Sequence, residues 1–257
     1  MDSTRPWCDP FVVRLASNTA KAGDACGLVV ICSWPMPQEV CQKYEALRKS
    51  LSEVMPQEAY IYPAGVLHLT VCTLRSFHGP HMDDAGREDR RNLWTPILAA
   101  ARSMPTWPKS SFRVRMLKPS FEGSAGIFRY DDSDGAVEAM RKCLLQAISD
   151  AGGTPAIGGA DRSKGCQPRG GASDDPPPHL PDILHSTILR WAGEPADREA
   201  AQKAFAEAAE AWTPLEVEVF GARAVFEDMP YMHIPEDADH IWWESEPQAS
   251  TQPNQRL

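Results

Sequence analysis

The chain has 257 residues, of which 42% are hydrophobic and 24% charged, and its formal net charge is −9. These values are typical of a globular protein with one large domain or two lobes and ample material for a core. The acidic balance disfavours a long nucleic acid as ligand, because gripping one requires a basic face that neutralises phosphates. No apolar run reaches the roughly 18 residues of a membrane span, and no signal-peptide core follows the N-terminus. We therefore expect a cytoplasmic monomer that binds neither DNA nor a membrane.

Seven cysteines are scattered through the chain without a C-x-x-C pair. The odd count and irregular spacing disfavour both a disulfide framework and a structural zinc site. We expect buried, reduced thiols that pack as small apolar residues. No H-E-x-x-H pattern or Cys-His cluster is present, so we predict neither a metal nor another cofactor.

Hydrophobic periodicity predicts the secondary structure in chain order. Residues 1–26 form a predicted irregular N-terminal arm. The predicted strands cover 27–32, 67–74, 111–118, 126–130, 182–191, 215–220, 222–227 and 241–243, and the predicted helices cover 38–54, 86–103, 134–151 and 197–212. Asp134 is the expected N-cap of the third helix, since aspartate is favoured at that position.

Residues 152–181 differ in composition from the rest of the chain, because Gly, Pro, Ser and Asp dominate there. Such a composition predicts a flexible insertion, in which Lys164 and Arg169 serve solubility rather than closure over a ligand. The polar residues 246–257 are predicted to be a disordered tail. Residues 27–245 then form a single domain that contains the insertion.

Two short motifs have the same pattern: His68-Leu69-Thr70 and His185-Ser186-Thr187. Each lies in a strand-like apolar run, and residues i and i+2 of a strand point to the same face. Each motif would therefore present an imidazole beside a hydroxyl. The two motifs lie in different halves of the chain, which indicates a symmetric site with two proton-transfer groups and two hydroxyl donors, suited to cleaving a phosphodiester.

A short motif arises readily by chance, so its surroundings matter. The other histidines lie outside any His-x-Ser/Thr pattern; they are His78, His81, His179, His233 and His240. The competing interpretation is an α+β protein with two unrelated core histidines and no implied activity. The Pro-flanked loop with Tyr231 and His233 receives no role, because only its position would support one.

With both motifs in strand contexts, the chain resembles the 2H phosphoesterase superfamily, which includes the LigT-like RNA 2′,3′-cyclic phosphodiesterases. The resemblance covers the motifs and the order of elements over roughly residues 27–245. It implies a bilobal α+β fold in which two antiparallel sheets flank a central cleft, with the helices outside. It also implies that His68 and His185 are the catalytic acid and base, in an order left open, and that Thr70 and Thr187 bind the phosphate without a metal.

The resemblance implies hydrolysis of a 2′,3′-cyclic phosphate on a small nucleotide or an RNA 3′ end. The alternatives are a nucleotide- or RNA-binding module of the same fold with little catalysis, and an RNA 3′-end exonuclease. A ligase or transferase would need a second substrate site, for which the sequence shows no signature. Substitution of His68 separates catalysis from binding, since a catalyst loses turnover and a binder loses at most affinity.

Aromatic and basic residues flank both motifs. For Tyr60, Tyr62 and Trp191 we expect packing in preference to stacking on a base. For Arg75 and Arg190 we expect surface ion pairs in preference to phosphate binding, although the planar guanidinium suits a phosphate.

Overall fold

The computed structural model describes residues 8–78, 81–154, 156–157 and 177–245. The helices in these ranges are α1 Pro10–Ala16, α2 Gln38–Val54, α3 Asp84–Ser103, α4 Ala136–Asp150 and α5 Arg198–Ala209, with 3-10 turns at Ala64–Val66 and Pro230–Met232. The strands are β1 Gly27–Cys32, β2 Ala59–Ile61, β3 Leu69–Arg75, β4 Phe112–Met116, β5 Ser120–Glu122, β6 Ala125–Asp131, β7 Ala156–Ile157, β8 His179–Leu180, β9 His185–Trp191, β10 Leu215–Val219, β11 Ala222–Glu227 and β12 Ile241–Glu244.

These strands form two sheets. The first has the order β12-β11-β1-β3-β8-β7, and the second has the order β10-β4-β6-β9-β2, with β5 paired to β6. Neighbouring strands are antiparallel except for the short parallel pair of β7 and β8. The predicted α+β class with two antiparallel sheets is confirmed. The motif strands β3 and β9 belong to different sheets.

Strand β1 is buried along its whole length, which explains its uninterrupted apolar sequence. Leu28 and Val30 face the main core, which also holds the apolar sides of the helices. Val29 and Ile31 point to the other face of the sheet and pack in a smaller cluster with Tyr62. The first sheet is therefore covered on both faces.

Helix α2 begins and ends at the predicted residues. Helix α4 begins at Ala136, two residues later than predicted, and its N-cap position is Gly135. The carboxylate of Asp132 accepts hydrogen bonds from the backbone N–H groups of Ala136, Val137 and Glu138 at 3.0, 2.9 and 3.1 Å. The predicted cap at Asp134 was wrong, because Asp132 reaches the unpaired amides from farther upstream.

The predicted irregular arm contains helix α1. Asp9 caps it by accepting a hydrogen bond from Phe11 N at 2.8 Å, and Pro10 occupies the first turn, where a fixed φ and a missing N–H are tolerated. The prediction of an irregular segment was wrong here, because Asp-Pro before an apolar stretch is itself a helix-start signal.

The predicted flexible insertion carries β7 and β8 at its two ends, so the loop prediction was wrong there. Both strands add to the edge of the first sheet beyond β3. Lys164, Arg169 and the predicted tail at 246–257 lie outside the described residues.

The described cysteines are free thiols, and those at 26, 32, 72 and 143 are buried, as predicted. Burial raises the pKa of Cys32 and of Cys72 to about 12. Within the described ranges, no helix has the length and hydrophobicity to cross a membrane, and no group of three His, Cys, Asp or Glu residues is arranged to hold a metal ion.

Candidate active site

The structure brings both His-x-Thr motifs to one cavity of about 920 Å³. His68 lies one residue before β3 of the first sheet, and His185 is the first residue of β9 of the second. Both histidines line the cavity together with Thr70 and Thr187. The four residues singled out in the sequence therefore share one space between the two sheets.

A bulge in β3 extends the polar lining of the cavity. Ile31 pairs with Thr70 and Val30 pairs with Cys72, which leaves Val71 as an extra residue. A bulge of this kind shifts the side-chain alternation by one position. Thr73 therefore returns to the cavity face, three residues after Thr70.

Strand β9 has the matching irregularity. Ile127 pairs with Thr187 and Gly126 pairs with Leu189, so Ile188 is the extra residue. The cavity-lining residue that follows Thr187 is consequently Arg190. Both motif strands thus present a histidine, a threonine and, three positions later, one more polar side chain.

Each catalytic candidate is held by the backbone two residues upstream. His68 Nδ1 lies 2.8 Å from the carbonyl oxygen of Val66. Because a carbonyl only accepts hydrogen bonds, Nδ1 carries the proton and the neutral ring keeps a free electron pair on Nε2. The ring of His185 makes a corresponding hydrogen bond with the backbone of Ile183.

Burial lowers the pKa of His68 to about 4, and the nearby His185 contributes in the same direction, while the bond to Val66 opposes the shift. Burial also lowers the pKa of His185, assisted by the positive charges of Arg190 and Arg141. Both rings are therefore mainly neutral at pH 7. An anionic phosphate between them would favour a protonated ring.

Ser186, the middle residue of the second motif, connects the two motifs directly. Its side chain is buried, and its hydroxyl donates to the backbone carbonyl of His68. The hydroxyl oxygen of Tyr130, in β6, lies 3.0 Å from the hydroxyl oxygen of Ser186. The middle position therefore ties the start of β3 to β9.

Arg141 of α4 forms a second connection behind the cavity. Its Nη2 donates to the carbonyls of Thr70 and Ile183 at 3.0 and 3.2 Å, and its Nε donates to the carbonyl of Val71 at 3.3 Å. The side chain is buried. The sequence analysis missed this residue, although a charge within the apolar stripe of a predicted helix was an available signal.

The arginines that follow the motifs differ from the prediction. Arg75 is only 3% exposed and donates to the carbonyl of Cys26, so the predicted surface ion pair was wrong. Arg190 lines the cavity, with its guanidinium carbon 5.0 Å from the ring centroid of Tyr231. A planar donor group at this place is available to a phosphate.

The flanking aromatic residues pack as predicted. The ring of Trp191 stacks on Phe121 with 5.9 Å between centroids. The hydroxyl oxygen of Tyr60 lies 2.8 Å from Nε2 of His233. Tyr62 is almost fully buried and contacts the rings of Tyr60 and His233. Trp191 and Tyr62 also contribute to the cavity wall.

One wall of the cavity comes from segments without a sequence-predicted role. Asp9, which caps α1, accepts a hydrogen bond from the hydroxyl of Tyr231 and lies 3.7 Å from His78 Nε2. Tyr231 has a φ of 56°, a conformation that few residues other than glycine adopt. Asp9, His78 and Tyr231 all line the cavity. No local sequence pattern predicts that these three residues come together.

The basic residues in the middle of the chain are matched by acidic ones. Arg113 and Arg115 of β4 stand opposite Glu218 and Glu216 of β10. Lys118 pairs with Glu210 at 2.5 Å, and Arg129 pairs with Glu122 at 2.9 Å. This face is a solvated surface with paired charges.

No known family model and no curated protein sequence matches the chain. Among solved structures, the protein TT0787 of Thermus thermophilus is similar to it with a TM-score of 0.45 and 18% identity, over 77% of this chain and 87% of that one. A phosphoesterase is similar with a TM-score of 0.42 and 14% identity, over 79% and 88% of the two chains. Likeness of this degree carries no argument about chemistry, which rests on the residues of the cavity.

Proposed function

We propose that the protein is a metal-independent phosphodiesterase that opens a 2′,3′-cyclic phosphate on a nucleotide or an RNA 3′ end. One observation carries this proposal: two histidines and two threonines from different sheets line the same cavity, each pair in the same His-x-Thr arrangement. A cyclic phosphate needs one group to accept a proton, one to donate a proton and donors for its charged oxygens.

The phosphate binds between the motif strands. The hydroxyls of Thr70 and Thr187 donate to its two non-bridging oxygens, where negative charge grows during the reaction. Arg190 lies on the same face of β9 as Thr187 and adds charge-assisted donors.

We assign the base to His68. Its Nδ1–H donates to the carbonyl of Val66, which leaves Nε2 free to accept a proton, and burial lowers its pKa to about 4, which favours the neutral ring. Nε2 takes a proton from water as the water oxygen forms a bond to phosphorus. The bond from phosphorus to one ribose oxygen breaks, and that oxygen receives a proton from the imidazolium of His185. The product is a 2′- or 3′-phosphate monoester, and the two rings then exchange protons with solvent.

The test is turnover of 2′,3′-cyclic nucleotides by EDTA-treated protein, followed by phosphorus NMR. We expect ring opening in the wild type and a loss of about 100-fold or more in His68→Ala and in His185→Ala. His81→Ala is the matched control, because His81 is exposed and does not line the cavity. Unchanged turnover in either cavity variant contradicts the proposal, and binding without turnover indicates the nucleotide-binding module instead.

A further inference from the structure

The cavity has a second polar end that the proposed reaction does not use. Glu227 at the end of β11 is only 7% exposed and lines the cavity. Its Oε1 accepts a hydrogen bond from Met232 N at 3.0 Å. Gly27 stands opposite it on β1, and a Cβ atom there would lie 2.9 Å from Glu227 Oε2. Because glycine has no Cβ atom, the side chain of Glu227 can occupy this space.

The sheet register relates this carboxylate to the phosphate end of the cavity. Val225 pairs with Val29, which pairs with Thr73 of β3. Glu227 lies two residues beyond Val225 and shares its face of the sheet. Glu227 ends β11 and Thr73 lies on β3, with β1 between the two strands. Two strand spacings of about 4.8 Å each therefore separate the strands that carry these residues, across one face of the sheet. A ligand held at the motifs can extend along this surface.

The walls around Glu227 are aromatic. The rings of Phe77 and Tyr231 both line the cavity and meet edge to face, with 4.9 Å between centroids. The carboxylate of Asp9 accepts a hydrogen bond from the hydroxyl of Tyr231. Carboxylates repel a phosphate, whereas an uncharged ring with N–H groups suits both the aromatic faces and the acceptor oxygens.

We propose that Glu227, Phe77 and Tyr231 form a base subsite, and that Glu227 selects guanine by accepting hydrogen bonds from its N1–H and N2–H groups. This inference rests on the proposed function for the position of the phosphate. Guanine presents two adjacent donors along one edge, which match the acceptor oxygens of a carboxylate. Burial raises the pKa of Glu227 to about 7, and donors from guanine favour its ionised form, so the calorimetric titrations below are made at pH 8. Adenine and cytosine offer a single amino group there, and the N3–H of uracil is flanked by two carbonyls that face the carboxylate unfavourably.

The central variant is Glu227→Gln. Its amide oxygen can still accept the hydrogen bond from Met232 N, while an NH₂ group replaces the second acceptor. We expect the wild type to prefer guanosine 2′,3′-cyclic phosphate over the uridine compound by about tenfold or more in kcat/KM. In the variant, the value for guanosine falls by about 10- to 100-fold and that for uridine changes less than about threefold.

Two further variants sharpen the test. Gly27→Ala places a methyl group against Glu227 Oε2 and Phe77 Cβ, both 2.9 Å away, and displaces the carboxylate without changing its chemistry. It should reduce the guanosine preference in the same direction. Glu216→Gln, on the exposed face of β10, should leave kcat/KM unchanged for all four cyclic nucleotides.

Calorimetric titration with the four nucleoside 3′-monophosphates separates this inference from the proposed function. Tighter binding of the guanosine compound, lost in Glu227→Gln, supports the subsite even if no cyclic nucleotide is hydrolysed. Equal affinity of the wild type for the four nucleoside monophosphates overturns it. An equal loss for all four bases in Glu227→Gln also overturns it, since Glu227 would then only fix the loop at Met232.

Discussion

His68 and His185 gain their orientation from the backbone and their protonation state from burial. Each ring is held by the residue two positions upstream, so the ring direction is set before a ligand arrives. The His-x-Thr spacing was sufficient to predict which face these residues occupy. Their pKa values were not predictable, because they depend on how deeply two distant strands enclose the rings.

The lowered pKa values predict an acidic optimum for kcat/KM. The proposed mechanism needs one neutral and one protonated imidazole, and both rings are mainly neutral at pH 7. As the pH falls from 8, kcat/KM should rise while His185 gains its proton, and should fall again when His68 protonates near pH 4. The pH–rate profile of cyclic nucleotide hydrolysis measures this.

Tryptophan fluorescence at each pH provides the control, because acid unfolding would imitate the lower limb of the profile. A folded protein with an optimum above pH 7.5 would contradict the assigned protonation states.

At the scale of the elements, the bulges in β3 and β9 shape the lining of the cavity. They bring Thr73 and Arg190 onto its face, three residues after the motif threonines. Alternation along each strand was enough to predict the positions of His and Thr. The bulges depend on pairing with β1 and β6, so a strand considered alone gives no sign of them.

Helix α4 offers a test of capping with an internal control. Asp132 accepts three hydrogen bonds from the first amides of the helix, so Asp132→Ala should lower the free energy of unfolding by about 1–2 kcal/mol. Asp134→Ala should change it by less than about 0.5 kcal/mol. Urea titration at pH 7 compares the two, and equal losses would show that the cap has been assigned to the wrong residue.

At the scale of the whole molecule, two sheets are joined at one site. Ser186 and Arg141 bind backbone carbonyls at the start of both motif strands, so the relative position of the histidines depends on side chains that never face the ligand. The α+β class with two antiparallel sheets was expected from the family resemblance. The connection was not, because it joins residues that are 42 to 118 positions apart.

Arg141→Met should weaken both stability and catalysis. The variant leaves the carbonyls of Thr70, Val71 and Ile183 without this donor, and we expect a loss of about 2 kcal/mol in the free energy of unfolding. Because the motif strands are no longer joined through Arg141, kcat should fall by about tenfold or more.

Lys142→Met is the matched control, since Lys142 is the next residue, 71% of its side chain is exposed, and it lies 3.7 Å from Glu138. It should remain close to the wild type in urea titration and in turnover. A similar response of both variants would mean that Arg141 does not link the strands.

The hydrogen bond between Asp9 and Tyr231 joins residues 222 positions apart, so a segment near each end of the chain helps to build the same wall of the cavity. A shortened protein that starts at β1 would keep both motifs and lose the partner of Tyr231. Proteolytic removal of Asp9 together with α1 should therefore weaken ligand binding without touching either histidine.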